Sequence, residues 1–306
     1  MKHRMKISQA DIRRNLVWYS FIIISLITLC VLVYWPTLRT IYYSMTNMGT
    51  FGTDYEFVGI QNYKTLLNSP SFLNALKNTF LLALYSLLSI PLGFLLANSL
   101  NSLRKSKAQS FFRVMFYMPN IMTGVSVVLV FQYVLRGNGG LLNQFLGSLT
   151  NSNVTIGWLS DPKFSHIGVT IISLWMSLGY SMLMNLASLQ SIPGELYEAA
   201  TIDGANGLQS MLHITIPQMR GCFSFLLITG VINGFSRFTD LYVLSGNSCA
   251  GRPNGTLQTL MMYIYQYSFE APQYGVSSTG AMILFVIVLA LTLLNTKITG
   301  ILKEEQ

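Results

Sequence analysis

Six stretches of this chain carry almost no charge over about 20 residues, the length of helix that crosses the roughly 30 Å hydrocarbon layer of a bilayer. They centre on 16–35, 78–97, 114–135, 167–189, 221–244 and 276–295, and only the fifth is interrupted, by Arg237 and Asp240. In hydrocarbon, unpaired backbone N–H and C=O groups are too costly for anything but helices or closed barrels, and none of these runs alternates with the period of two that a barrel strand needs. The sequence therefore predicts an all-α polytopic membrane protein: one transmembrane domain over 1–306 with six membrane-spanning helices. Composition agrees, with 51% hydrophobic and only 10% charged residues, against about 25% charged in a soluble domain.

The formal charge of +8 raises nucleic acid as a partner, but the cations flank the apolar runs and form no basic face interleaved with aromatics, which excludes that class. Lys2, Arg4, Lys6, Arg13 and Arg14 precede the first run as they would a secretory signal. That run is too long for a signal core and ends at Trp35-Pro36 without a small-x-small cleavage site, so it reads as a retained first span. Cys30, Cys222 and Cys249 have no metal-binding spacing, and His166 and His213 stand without carboxylate or thiol neighbours. No metal site is expected.

Orientation follows from the cations. Twelve Lys/Arg fall on the side that holds both termini and the second and fourth connections, against six on the other. The positive-inside rule then makes both termini cytoplasmic. The fourth connection, 191–220, also falls in the cytoplasm, and its sequence is unlike a linker. Pro193 suits a helix's first turn, Glu195 and Glu198 suit its positive end, and Gly204 is a natural terminator. A short helix over 194–202 follows, with Leu196, Ala199 and Ala200 on one face. Beyond Gly204, Leu208, Met211 and Leu212 repeat the pattern up to Ile216-Pro217. Two short helices at an angle form a knob of the kind that docks in another protein's groove.

The ordered series Glu198-Ala199-Ala200, Asp203-Gly204-Ala205, Ile214 and Ile216-Pro217 resembles the cytoplasmic signature of permease subunits in ABC importers that use a solute-binding protein. "FVGIQNY" at Phe57, "FFRVMFYMP" at Phe111, "GGLLN" at Gly139, "WLSDP" at Trp158, "LASLQSIPGELYEAA" at Leu186 and "RFTDLYVLSG" at Arg237 look like the carbohydrate-uptake branch of these permeases. That branch includes the maltose-importer, glycerol-phosphate and multiple-sugar permeases. Two residues depart from the pattern: Leu208 replaces a common Trp, and Gly221 stands where many members place Pro.

The resemblance implies a type I importer permease fold in a prokaryotic cell membrane. Its cytoplasmic coupling-helix loop would seat Glu198, Ala199, Ala200, Asp203, Gly204, Ile214 and Pro217 against an ATPase. It also implies a second permease subunit of different sequence, two ATPase subunits, an extracytoplasmic solute-binding protein, and a carbohydrate substrate, with an oligosaccharide favoured. ATP and Mg would sit on the ATPase. This chain would bind no cofactor and catalyse nothing, and it contains no G-x-x-x-x-G-K-[ST] loop. The competing reading is a stand-alone carrier driven by an ion gradient, which calls for acids or broken helices at mid-membrane. Asp240 alone serves that poorly.

Ionisable residues inside a span face the interior by default. Arg237 and Asp240, three apart, can pair on one helical face, either to lock the fifth span to its neighbours or to line a cavity. Asn185, Asn233 and Ser236 can bond sugar hydroxyls in both directions, or serve as interhelical glue. Pro91, Pro119 and Pro193 read as kinks that shape packing or permit gating. The aromatic run at Tyr263 to Phe269 suits an interfacial belt, packing, or stacking on sugar rings.

Overall fold

The computed structural model describes residues 9–49, 55–103 and 106–299. Lys2, Arg4, Lys6, Arg104, Lys105 and Lys303, counted above for orientation, lie outside the described residues. Among the described residues the chain is helical, with one isolated antiparallel bridge between Thr46 and Phe57. Five helices are long and apolar enough to cross a bilayer: Trp18–Ser44, Pro70–Asn101, Ser165–Ser191, Arg220–Leu244 and Tyr274–Thr299. A bent pair, Lys107–Ile121 and Gly124–Val134, is long and apolar enough only when taken together; its axes differ by 99°, and it stands as the third span in chain order.

The bend falls inside the predicted run 114–135, where Pro119 reads as a kink, and it is sharper than a proline kink alone. It falls just after Pro119, which sits inside the first of the two helices. Met122 and Thr123 are extended, and the Thr123 hydroxyl accepts from the Ser126 amide at 3.4 Å, capping a new helix that starts at Gly124. A threonine followed by a glycine is a weak hydropathy signal but a strong helix start.

The second span begins earlier than its apolar run, because Ser69 caps it and Pro70 occupies the first turn, where a missing N–H costs nothing. It breaks at Leu87-Leu88, ahead of Pro91. Pro91 has no N–H to donate to the Leu87 carbonyl, and the Ile90 amide takes that carbonyl instead at 3.0 Å. The fifth span unwinds over Ser236 to Phe238 and resumes as Thr239–Leu244.

The fourth span, Ser165–Ser191, is the hub. Val169, Ile172, Met182 and Leu186 on it are all at most 1% exposed. Its neighbours approach closely because small residues face them. A Cβ on Gly93 would lie within 2.8 Å of the Ser181 Cβ, and one on Gly179 would collide with the Phe116 carbonyl of the third span. The fifth and sixth spans are joined by a hydrogen bond from the Ser224 hydroxyl to Asn295 Oδ1 at 2.8 Å. In contrast, none of the described side chains in the most apolar window of the first span is buried. That helix meets the bundle at its C-terminal end, where Thr279 Oγ1 donates to the Ser44 carbonyl at 3.0 Å.

The Tyr263 to Phe269 aromatics serve mainly as packing. Tyr263 is 3% exposed, with its ring edge-on to Phe72 at 5.4 Å. Tyr265 lies 4.7 Å from Phe238, while Phe269 points outward.

The glycine contact gives a direct stability test. Gly179→Val should lower the melting temperature of the detergent-solubilised protein, since overpacking a tight contact costs about 1–3 kcal/mol. Gly221→Ala, where a Cβ meets nothing within 4 Å, should leave it within experimental error. Equal melting of both variants would disprove the packing account.

Candidate functional site: a polar cavity and an exposed elbow

The connection between the fourth and fifth spans folds as an elbow outside the bundle. Pro193 stands at the N-cap, one residue before the first turn expected for it, and the helix runs over Gly194–Ile202. Gly204 adopts φ +78°, a conformation open to glycine and costly for residues with a Cβ. The Ala205 amide bonds the Ala200 carbonyl at 2.9 Å and the Gly204 amide bonds the Thr201 carbonyl at 3.1 Å. This pair of bonds is a Schellman ending, which satisfies the last helical carbonyls.

Asn206 then starts the next helix with a capping box: its Oδ1 accepts from the Gln209 amide at 2.9 Å, and its own amide donates to Gln209 Oε1 at 2.8 Å. This second helix is longer than the short one expected. It runs from Gly207–Ser210 through a π turn, Met211–Thr215, into Ile216–Gln218, and meets the fifth span at buried Met219. The π turn has a local cause in Pro217. A proline ring clashes with the carbonyl four residues back, and here the turn before it widens so that the Ile216 amide reaches the Met211 carbonyl. Tyr197 Oη and Thr215 Oγ1, 2.9 Å apart, tie the two helices together.

Of the residues expected to meet a partner, Glu198, Ala199, Asp203, Gly204 and Pro217 are exposed, and Ala200 and Ile214 are half-buried. Ala200, Asp203, Gln209, His213 and Ile214 line a concavity of about 330 Å³ in the inner angle of the elbow. Ile202 was not among the expected residues, yet it is 86% exposed. Its exposure could have been anticipated from its place at the end of a helix that has no apolar partner.

On the bundle, the second, fourth and fifth spans line an open cavity of about 380 Å³ near the middle of the second and fourth. The three helix breaks converge on it: Leu87 from the second span, Gly124 from the third, and Arg237 to Asp240 from the fifth all line its wall. Arg237 Nε donates to Asp240 Oδ2 at 2.7 Å, and Arg237 Nη2 bonds the same oxygen. The pair bridges the break in the fifth span rather than sharing a continuous helical face. Thr259 Oγ1 donates to the freed Arg237 carbonyl at 3.1 Å.

The other expected pathway residues divide. Asn233 lines the cavity. Ser236 is exposed at the break but is absent from the lining. Asn185 is fully buried and bonds within its own helix, its Nδ2 donating to the Ser181 carbonyl at 2.8 Å. It therefore neither lines the cavity nor bridges two helices, and its Oδ1 has no hydrogen-bond partner. Most of the polar lining was missed, including Ser86, Ser173, Ser177, Tyr180, Ser181 and Thr239. Ser173, Ser177 and Tyr180 recur at i, i+4 and i+7, a polar stripe that helical periodicity does predict.

Apolar helices of spanning length, arranged around an open cavity with hydroxyl, amide and paired charged groups in its wall, define a polytopic membrane protein. The chain belongs to the family of binding-protein-dependent transport system inner membrane components, whose family model matches residues 89–301. It is 31% identical over 93% of its length to the multiple sugar-binding transport system permease protein MsmF of Streptococcus mutans, covering 96% of that protein. It is 32% identical over 82% of its length to the arabinooligosaccharides transport system permease protein AraP of Bacillus subtilis, covering 79% of it. Its backbone superposes on a chain of a bacterial ABC transporter involved in the import of the acidic polysaccharide alginate with a TM-score of 0.77, at 22% identity, covering 95% of this chain and 97% of that one. The bundle thus has the type I importer permease fold.

Arg237 and Asp240 have side chains 13% and 14% exposed, and removing one partner strands the other's charge. Arg237→Ala and Asp240→Ala should each destabilise the protein more than the double variant does. Thermal melting should give a coupling energy of about 1–3 kcal/mol. Strictly additive losses would show that the pair is not energetically coupled.

Proposed function

We propose that this chain is one permease half of an ABC importer for a carbohydrate, most simply an oligosaccharide, and that it turns ATP hydrolysis by a separate ATPase into uptake. The observation that carries the reading is the elbow, a rigidly capped structure that the bundle itself leaves uncovered. Membership of the family and the sugar-related names of MsmF and AraP support the substrate class. The cavity lining supports it too, since hydroxyl and amide groups donate and accept as sugar hydroxyls do.

The lever can be traced through the chain. One arm of the elbow joins the fourth span through Ile192 and Pro193, and the other runs almost without interruption into the fifth span through Met219. Both spans line the cavity. An ATPase dimer that grips Glu198, Ala199, Ala200, Asp203 and Gly204 as it closes would shift both walls together, with Ile214 and Pro217 carrying the motion into the fifth span. In this reading the elbow and both termini are cytoplasmic, in the membrane of a prokaryotic cell. A second, different permease chain supplies the other half of the pathway and covers the first span. Two ATPase subunits hold ATP and Mg, this chain binds no cofactor and performs no catalysis, and an extracytoplasmic solute-binding protein delivers the substrate. Broken helices also suit an ion-driven carrier, but membership of a binding-protein-dependent family favours the importer.

Glu198→Lys and Gly204→Asp should each abolish uptake and release the ATPase on purification while the permease stays in the membrane. Unimpaired uptake by both would defeat the assignment.

Sidedness has its own test. Cys30 and Cys222 lie within spans, and Cys249 is buried, its thiol pushed up to about 12 by burial and by the neighbouring Glu270, so none competes well for a thiol reagent. Ile202→Cys should therefore react with a membrane-impermeant maleimide in inside-out vesicles and stay unlabelled in intact cells stripped of their outer layers. The reverse pattern would place the elbow outside.

A further inference from the structure

Among the described residues lining the cavity, Arg237 and Asp240 are the only charged ones, and they neutralise each other. Two donors of the guanidinium converge on Asp240 Oδ2. A guanidinium offers five N–H donors and a carboxylate two oxygens, so the pair keeps donors on the guanidinium and Oδ1 on the carboxylate beyond the two bonds to Oδ2. Hydrogen bonds from such ionised groups to neutral hydroxyls are stronger than those between neutral partners. The rest of the polar lining is uncharged, including Ser86, Ser177 and Asn233, and Phe238 adds an apolar face. A carboxylate or phosphate entering here would give up water without meeting a free cation, and a desolvated charge without a partner is strongly disfavoured.

We propose that Asp240 is a specificity-determining residue: by holding Arg237 in a neutral pair, it tunes this chain's half of the cavity to uncharged polyhydroxy solutes and against uronates and sugar phosphates. The proposal rests on the cavity being the solute's path and adds the charge class of the solute. The pair is suited to this role because Arg237 lies in the unwound segment of the fifth span and Asp240 in the first turn of the helix that follows, so the pair spans the break.

The test uses the complete importer, this chain with its partner permease and ATPase, in lipid nanodiscs, titrated calorimetrically with three trisaccharides. Maltotriose is uncharged, trigalacturonate is anionic, and the trimer of chitosan is cationic. The wild type should prefer maltotriose over both charged probes. Asp240→Asn should raise the affinity ratio of trigalacturonate to maltotriose by about tenfold or more at low ionic strength, and added salt should shrink the gain. Arg237→Gln should instead raise the ratio for the chitosan trimer, which keeps the proposal testable if Asp240→Asn fails to assemble. The Arg237→Gln/Asp240→Asn double variant should return both ratios towards the wild-type values. Ratios that stay fixed in the single variants, a wild type that takes trigalacturonate as tightly as maltotriose, or a cavity that takes none of the three overturns the proposal. Loss of the ATPase from the unmodified complex would instead overturn the importer reading, so the two failures are distinct.

Discussion

Every backbone polar group that enters hydrocarbon must find its partner within the protein, and this requirement decides where the helices of this chain can break. An unpaired amide or carbonyl in lipid costs several kcal/mol. The second, third and fifth spans are nevertheless interrupted, and all three interruptions lie on one cavity wall. Each is repaired from nearby. The Ile90 amide takes the carbonyl that Pro91 cannot, the Thr123 hydroxyl caps the helix that follows, and the Thr259 hydroxyl binds the carbonyl of Arg237. These three interruptions are thus concentrated at the cavity, which is also where charge and hydroxyl groups collect.

Close packing around the fourth span makes such a cavity affordable to the fold. Lipid tails are as apolar as leucine, so helices gain little from leaving lipid and must associate through tight contact and interhelical hydrogen bonds. Gly93 and Gly179 let the second and third spans reach backbone contact with the fourth, and Ser224 binds Asn295 between the fifth and sixth. Towards the elbow the same helices close over Phe94, Met182, Leu186 and Met219. Beyond the cavity, Leu82, Val169, Leu241 and Met262 form a second cluster. The cavity thus lies between two dry clusters, at the section a lever could widen or narrow.

How much of this was legible in the sequence differs by feature. Charge-free runs located the spans because hydrocarbon thickness is a fixed ruler. Hydropathy could not show the bend at Met122-Thr123, since a capping threonine inside an apolar run changes the average little. It also missed the start of the second span at Pro70, where Asn74 and Lys77 dilute the signal. The elbow was readable in detail because glycine, proline and capping residues act locally. The cavity was only half readable: an amide in a span signals a buried partner as readily as a solute site, so Asn185 and Asn233 looked alike. Their different environments depend on which face of each helix the neighbours cover. The Ser173, Ser177 and Tyr180 stripe was available from periodicity, but serines bonded to their own helix carbonyls, as Ser173 and Ser177 are, are mild enough to pass for apolar.

The capping around the elbow bears on its use as a lever. Fixing one backbone residue costs about 1–2 kcal/mol of conformational entropy, so a loosely ordered loop gripped by a partner would spend binding energy on ordering itself and transmit little displacement. Here the Schellman bonds at Ala200 and Thr201, the Asn206 and Gln209 box, and the Tyr197 to Thr215 contact fix the angle between the two arms, and Met211 and Ile216 anchor the second arm on the bundle core. Their cost is met within the chain before any partner arrives. The π turn ahead of Pro217 and the break at Met219 are the irregularities between this angle and the fifth span. Bulges of this kind give a helix local latitude without severing it. Along the chain, the capped angle is followed by the π turn, the break at Met219, and then the broken section of the fifth span at the Arg237 and Asp240 wall, the order a lever of the proposed kind would need.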